Sequence, residues 1–413
     1  MKKIALLHYA YPPNIGGVEI LLSEQALILA EHGYDVLVLT GSGKSENSKI
    51  KLIEAPILQS ILKINPLLQQ KIVEKGIVDD DFHKLAAEIE KLLDDILFYR
   101  EIIIVHNMLT LVHNLPFIQA FKNFVAKNPQ KKIIVWAHDQ TFIDGEKILD
   151  RKDGVNLSNE LKTLLKEPVA RATYVVISET FKKLLIQVMD LSQNKVEVIP
   201  NGINIKRFME IDDSIWDVCK TKKWLSKFPL ILAPVNLLPR KNLEYGLKTA
   251  FYLKKNYPDL CLIISGKASI HRETDSCLSL LKKNVRELEF VDNVVFLADY
   301  FDRSLVESEL HDLYDLADLV FYFSRSENFG LPILESYLAK TPAFISSLQV
   351  FHEIEEKDLN FIDIASTGPE ICASLIQRYL ETDRTVLMNK LVRQKYNLET
   401  IIETRLLPLF EKP

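Results

Sequence analysis

The sequence predicts an α/β protein made of two doubly wound, Rossmann-like units with parallel sheets. Three observations carry that expectation. Short apolar runs alternate with longer stretches of helical periodicity, which is the pattern of parallel strands joined by crossover helices. The alternation starts at Lys3, lapses after Asn201 and restarts at Leu230. With 413 residues, the chain has room for roughly two or three domains.

The first unit opens with a strand over Lys3–Tyr9, then a turn carrying Pro12, Pro13, Gly16 and Gly17. An amphipathic helix follows from Val18 to Glu31, with Leu22, Ala26 and Leu29 among its apolar positions. Residues 34–40 (YDVLVLT) form the next strand. Residues 51–100 carry a weak pattern, apart from helical periodicity over 86–98. Further strands are expected at Ile102–His106, Lys132–Ala137, 174–178 and 196–200, with a helix at 115–125. Residues 201–227 read as a linker and an entry helix. In the second unit, strands are expected at 230–235, 260–265, 294–297, 319–323 and 343–345. Helices are expected at 243–254, 310–317 and 331–339, and 386–410 is mostly helical. The domain boundaries implied are 1–205, 206–390 and a C-terminal helix over 391–413 that returns to the first domain. Ligands of such folds gather at the carboxyl ends of the strands, so a cleft between the two sheets is the expected site.

Composition excludes several classes. Hydrophobic residues make up 47% and charged residues 26%, enough to bury sizeable cores and too apolar for a disordered chain. The net charge of -5, without a long Lys/Arg block, argues against a nucleic-acid partner. Lys2 and Lys3 precede only a short apolar run, unlike a secretory leader. No apolar stretch is long enough to span a bilayer, although a peripheral contact at the inner membrane face stays open. The four cysteines, Cys219, Cys261, Cys277 and Cys372, lack metal-ligand spacing. A reducing, cytoplasmic compartment is expected. The acidic groups Asp79–Asp81 and Asp94-Asp95 read as solvated faces, and no metal site is expected.

The most informative stretch is SRSENFGLPILESYLAKTPAFISS, residues 324–347. An apolar strand ends at Phe323, a polar loop carries Glu327, Asn328 and Gly330, and Pro332 sits where a helix tolerates proline. The backbone N–H groups near Phe329–Leu331 then stand at a helix N-terminus, a ready anion site that suits a diphosphate. Glu327 and Glu335 beside it are suited to hold hydroxyl groups. Arg240 and Lys241 follow the first strand of the second unit, where two cations can clamp a leaving diphosphate. Gly16 and Gly17 allow close approach of backbone to a ligand. His138 and Asp139 end one strand, and His106 and Asn107 end another.

The segment from Glu327 to Glu335 resembles the E-x7-E signature of the family 4 retaining glycosyltransferases, together with the intervening NFGLPIL and the later Thr341-Pro342. The resemblance covers about 1–45 and 100–410, and implies the GT-B arrangement of two Rossmann-like domains. It implies a donor site in which Glu335 binds ribose hydroxyls and Glu327 the donor sugar. Asn328, Phe329, Gly330 and Leu331 would line sugar and diphosphate, and Lys241 would be the donor-phosphate lysine. It likens Gly16-Gly17-Val18-Glu19 to the family's G-G-x-E loop, with Glu19 near the acceptor, and His138 to its sugar-binding histidine. His106 and Asp139 are assigned to the acceptor side. The implied reaction moves a hexosyl group, with retention, from a UDP- or GDP-linked sugar to a hydroxyl of a saccharide, lipid-linked or small-molecule acceptor. No cofactor or donor-site metal is implied. The sequence departs from the family where Pro234-Val235-Asn236 replaces a Gly-Arg pair, and Arg240 is the candidate to supply the lost charge. Leu348–Glu356 also lacks the usual glycine. The alternatives are a nucleotide-sugar epimerase on the same fold, a non-catalytic nucleotide-sugar-binding protein, and, more distantly, a polysaccharide phosphorylase. The donor base and sugar, the acceptor and the oligomeric state are left open.

Overall fold

The structure is a computed structural model that describes residues 2–14, 16–142, 156–266, 272–355 and 357–411. It divides into two units, Met1–Asn204 with Leu398–Pro413, and Ile205–Asn397.

The first unit holds a seven-stranded parallel sheet of order β3-β2-β1-β4-β5-β6-β7. The strands are β1 (Lys3–His8), β2 (Asp35–Thr40), β3 (Ile50–Glu54), β4 (Ile102–His106), β5 (Lys132–Ala137), β6 (Thr173–Val176) and β7 (Val196–Val198). Side chains alternate between faces along each strand, and the two cores show it. Ala5, Leu7, Leu37, Leu39, Ile103 and Val105 pack on one face with the helices Asp80–Leu97 and Leu115–Lys127. Ile4, Leu6, Val36, Val38, Ile102 and Ile104 pack on the other with the helix Gly17–Glu31 and the C-terminal Leu398, Ile402, Leu406 and Phe410. The acidic run at 79–81 starts a helix, for Asp79 accepts from the N–H groups of Asp81 and Phe82. Asp79 and Asp81 also take Lys71 Nζ, each at 2.9 Å.

The second unit holds a six-stranded parallel sheet of order β10-β9-β8-β11-β12-β13. Its strands are β8 (Leu230–Ala233), β9 (Cys261–Ile264), β10 (Val294–Phe296), β11 (Leu319–Tyr322), β12 (Ala343–Ser346) and β13 (Asn360–Ile362). Residues of β8, β9 and β11 are buried throughout, as expected of central parallel strands covered on both sides. Each sheet thus has a point where the strand order reverses, between β1 and β4 in the first and between β8 and β11 in the second.

Two edge strands were hidden in the sequence. β3 (IKLIE) mixes charges with apolar residues because most of it is only half-buried or exposed, and β13 is three residues long. The expected C-terminal element is also divided differently. The helix Arg384–Lys395 stays with the second unit, and the return to the first begins at Leu398 rather than 391. A buried ion pair explains this, since Arg393 Nη2 donates to both carboxylate oxygens of Asp318 at 2.7 Å. Asp318 also accepts from Leu230 N–H at 2.7 Å, and Arg393 Nη1 donates to the Leu316 carbonyl at 2.9 Å. Among the described residues, no helix is long and apolar enough to cross a membrane.

Arg393→Met leaves Asp318 buried without its cation. It is expected to cost about 3–5 kcal/mol of stability in urea unfolding, and an unchanged midpoint would contradict the anchoring role.

Candidate functional site

Parallel pairing of β8 with β11 sets the loops after these strands side by side. After β8 the chain makes a 3-10 turn over Pro239–Lys241. Asn242, at φ 51°, then leads into the helix Leu243–Leu253. After β11 comes 323–330, and the helix Leu331–Leu338 begins with Gly330 as N-cap and Pro332 in its first turn. Gly330 is required twice over. Its φ of 118° favours glycine, and an added Cβ would stand 2.7 Å from a ring carbon of Phe351. The two loops are bonded directly, the Arg325 N–H donating to the Arg240 carbonyl at 2.7 Å.

Between these loops the Glu327 carboxylate receives both cations. Lys241 Nζ pairs with one oxygen and Arg240 Nη1 with the other at 3.1 Å. Arg240 also donates to the Ser326 carbonyl at 3.2 Å. Lys241 and Glu327 are largely shielded, their side chains 11% and 9% exposed, whereas Arg240 is 48% exposed. Lys241 Nζ lies 5.3 Å from the centre of the Tyr322 ring, close enough for a cation–π contact. Burial opposes the charge of Glu327, but the hydrogen bond and charge of Lys241, with smaller help from Ser324 and Arg240, outweigh it and hold the carboxyl below its usual range. Asn328, Phe329 and Leu331 are exposed beside it, and Gly330 is buried. Glu335 lies one turn into the helix, half-buried, and accepts from Tyr314 Oη at 2.8 Å.

In the first unit, β4 lies between β1 and β5, and the three strand ends bring His8, His106 and His138 together. His106 Nδ1 is 3.1 Å from His138 Nε2, and His106 Nε2 is 2.9 Å from Gln25 Oε1. His8 Nδ1 donates to the His106 carbonyl at 2.8 Å, and its Nε2 is 3.6 Å from Glu19 Oε1. The rings of Trp136, His106 and His138 stack, with successive centroids 5.3 and 5.4 Å apart. Burial, aided by the neighbouring histidines, pushes the His106 pKa well below its usual value. Burial first, then His8, pushes His138 down to about 3. Glu19 folds over Gly16, where an added Cβ would meet its carboxylate at 2.1 Å, while an added Cβ at Gly17 would meet nothing among the described residues. Asn107, at φ 59°, accepts from the N–H groups of His138 and Asp139, each at 2.9 Å, and the Asp139 residue is exposed.

Among the comparisons with known proteins, the family match lies in the second unit. Residues 218–397 match the family described as Glycosyl transferases group 1. By this segment, somewhat under half of the chain, the protein is similar to the group 1 glycosyl transferases. The chain is 30% identical over 192 residues to the O-antigen chain mannosyltransferase of Salmonella typhimurium, an alignment covering 46% of this chain and 47% of that one. The matched region therefore spans about half the length of that relative. The mannosylglucosylglycerate synthase of Petrotoga mobilis is 27% identical, with 89% of this chain and 86% of that one covered. The solved sucrose-phosphate synthase of Thermosynechococcus elongatus aligns over 99% of this chain and 98% of its own, at 16% identity and a TM-score of 0.40.

Within the group 1 segment, the geometry brings Glu327, Lys241 and Arg240 into one cluster, with Glu335 in the helix that opens at Gly330. In the first unit, His138 belongs to the histidine group and Glu19 flanks it at His8. The expectation that His106 lines an acceptor site is corrected: the residue is wholly buried and both ring nitrogens are engaged. Tyr314, Tyr322, His8 and Gln25 were not singled out in the sequence. His8 was within reach, since it ends the first strand. Gln25 was not, because nothing distinguishes a glutamine in mid-helix.

The Glu327 cluster gives a pH test. A carboxyl held below its ordinary 4.5 contributes stability that is present above that pH and lost as pH falls through the lower folded value. Glu327→Gln is expected to flatten the acid limb of a urea-stability profile, and an unaltered limb would contradict the pairing.

Proposed function

We propose that the chain transfers a glycosyl group, with retention, from a nucleoside-diphosphate sugar to an acceptor hydroxyl. The observation that carries this reading is the placement of Lys241 and Arg240 on a single carboxylate at the switch point of the second sheet. Such a position collects ligands in doubly wound folds. Two cations there attract a diphosphate, and they stabilise the charge that grows on it as the glycosidic bond breaks. Glu327 holds both cations in the place those phosphate oxygens would take. Once a diphosphate takes up the cations, Glu327 is released to accept hydrogen bonds from sugar hydroxyls. Glu335 accepts from the ribose in place of, or together with, the Tyr314 hydroxyl. The backbone of Asn328–Leu331 completes the donor side.

Arg240 and Lys241 supply the charge that a metal would otherwise bring, so donor binding needs no divalent ion. Gly16 and Gly17 let the first loop approach a substrate closely, with Glu19 and Asp139 on the acceptor side. His138 offers a hydrogen bond to a sugar hydroxyl. Its low pKa makes it a neutral partner rather than a proton carrier at physiological pH. UDP- and GDP-linked sugars both suit the site. Two relatives carry mannosyl chemistry in their names, so a mannosyl donor is the first to try.

Calorimetric titration with UDP and GDP, each with and without magnesium, tests this reading. One of them is expected to bind without metal, and Glu335→Ala to weaken it by roughly tenfold or more, the value of a hydrogen bond to a charged group. Failure of both nucleotides to bind would overturn the proposal.

Lys241→Ala is expected to lower the rate of nucleoside-diphosphate release from the donor by about 100-fold, with a smaller loss in affinity. An unaltered rate would remove Lys241 from the mechanism.

A further inference from the structure

We infer that Gln25 is a positioning residue that acts through His106 to decide which nitrogen of His138 carries the proton. The inference deepens the role proposed for His138 and rests on it. Gln25, in the helix Gly17–Glu31, and His106, at the end of β4, are both completely buried. Gln25 Oε1 faces His106 Nε2 at 2.9 Å. A carbonyl oxygen only accepts, so His106 carries its proton on Nε2. Because His106 is neutral, its Nδ1 is then a bare acceptor. His138 Nε2, 3.1 Å away, donates to it. The His138 proton is therefore on Nε2, and its Nδ1 is left with a lone pair.

Among the described residues that nitrogen is buried and has no hydrogen-bond partner, and the same holds for the Gln25 amide nitrogen. Unpaired buried polar atoms are costly, and an ordinary core would fill these positions with apolar side chains. An unpaired acceptor at a strand end, held in one tautomer by a chain of two buried residues, suits a ligand that brings a proton donor. A sugar hydroxyl is such a group. A carboxylate or carbonyl oxygen is not, so the tautomer makes the position selective for a hydroxyl. The groups that face the pair are His8 and, beyond it, Glu19. His8 bonds the His106 carbonyl rather than its ring, so it fixes the strand end and leaves the choice of tautomer to Gln25.

The test is a set of long-range 15N–1H spectra of the full chain with labelled histidine, the His138 signals assigned by their loss in His138→Gln. The wild-type chain is expected to show His138 protonated on Nε2 and bare on Nδ1, with signals flat from about pH 8 to about pH 5, the range in which an ordinary histidine titrates. Gln25→Met keeps the size of the side chain and removes the strong acceptor. It is expected to shift His138 to the other tautomer or to a mixture, while His8 keeps its wild-type signals. A wild-type His138 protonated on Nδ1 would overturn the inference whether or not the variant folds. So would a folded Gln25→Met with wild-type His138 signals. No donor is needed for these spectra, so an absence of nucleotide binding would count against the proposed function and not against this tautomer.

Discussion

Parallel strands leave a sheet all at the same edge, and neighbours in the sheet deliver their following loops to neighbouring places. In the second unit β8 lies beside β11, so residues separated by 86 positions, Lys241 and Glu327, meet. In the first unit β4 lies between β1 and β5, so His8, His106 and His138 meet. Neither cluster is produced by sequence proximity. Both follow from strand order, and both lie at the point where that order reverses, where no crossover helix closes the gap between adjacent loops.

Two ion pairs of the second unit show how a structural charge differs from one available for chemistry. Asp318 and Arg393 are both almost completely buried, and the Asp318 carboxylate is filled by Arg393 and by the Leu230 N–H. Nothing there can be exchanged. Glu327 is held by Lys241, itself over the Tyr322 ring, and by Arg240, whose side chain is half open to solvent. A cation in that position can trade one anion for another at little cost, because any incoming anion replaces the carboxylate it displaces. The wall of low dielectric around Lys241 and Glu327 strengthens whichever partner is bound. In the histidine group of the first unit, His106 and His138 have the opposite character. Burial keeps these two neutral, so their contribution is direction and tautomer rather than charge.

The strands with uniform apolar character were legible from the sequence almost to the residue. Lys132–Ala137 and Ile102–His106 were placed at their observed limits because central parallel strands are buried on both faces and read as unbroken apolar runs. β3 and β13 were not, since edge strands carry charges outward and are short. The segment 56–75 broke into several short turns around Pro56 and Pro66, and so had no period to detect. In the second unit, Glu327, Lys241, Arg240 and Glu335 stood out in the sequence because charged residues directly after apolar strands and at a helix start break an otherwise apolar pattern, and the structure brings the first three together. The role of His106 was misread: a strand-end position gives no information on whether a side chain points into a core. Gln25 and Tyr314 were out of reach because their importance comes from a partner distant in sequence.

The measurement that tests the central claim most directly is a crystal structure of the chain with a bound nucleoside diphosphate. The account predicts phosphate oxygens within hydrogen-bond distance of Lys241 Nζ and Arg240, with the Glu327 carboxylate displaced from at least one of them and the ribose against Glu335. A nucleotide bound elsewhere, with Glu327 still holding both cations, would contradict it.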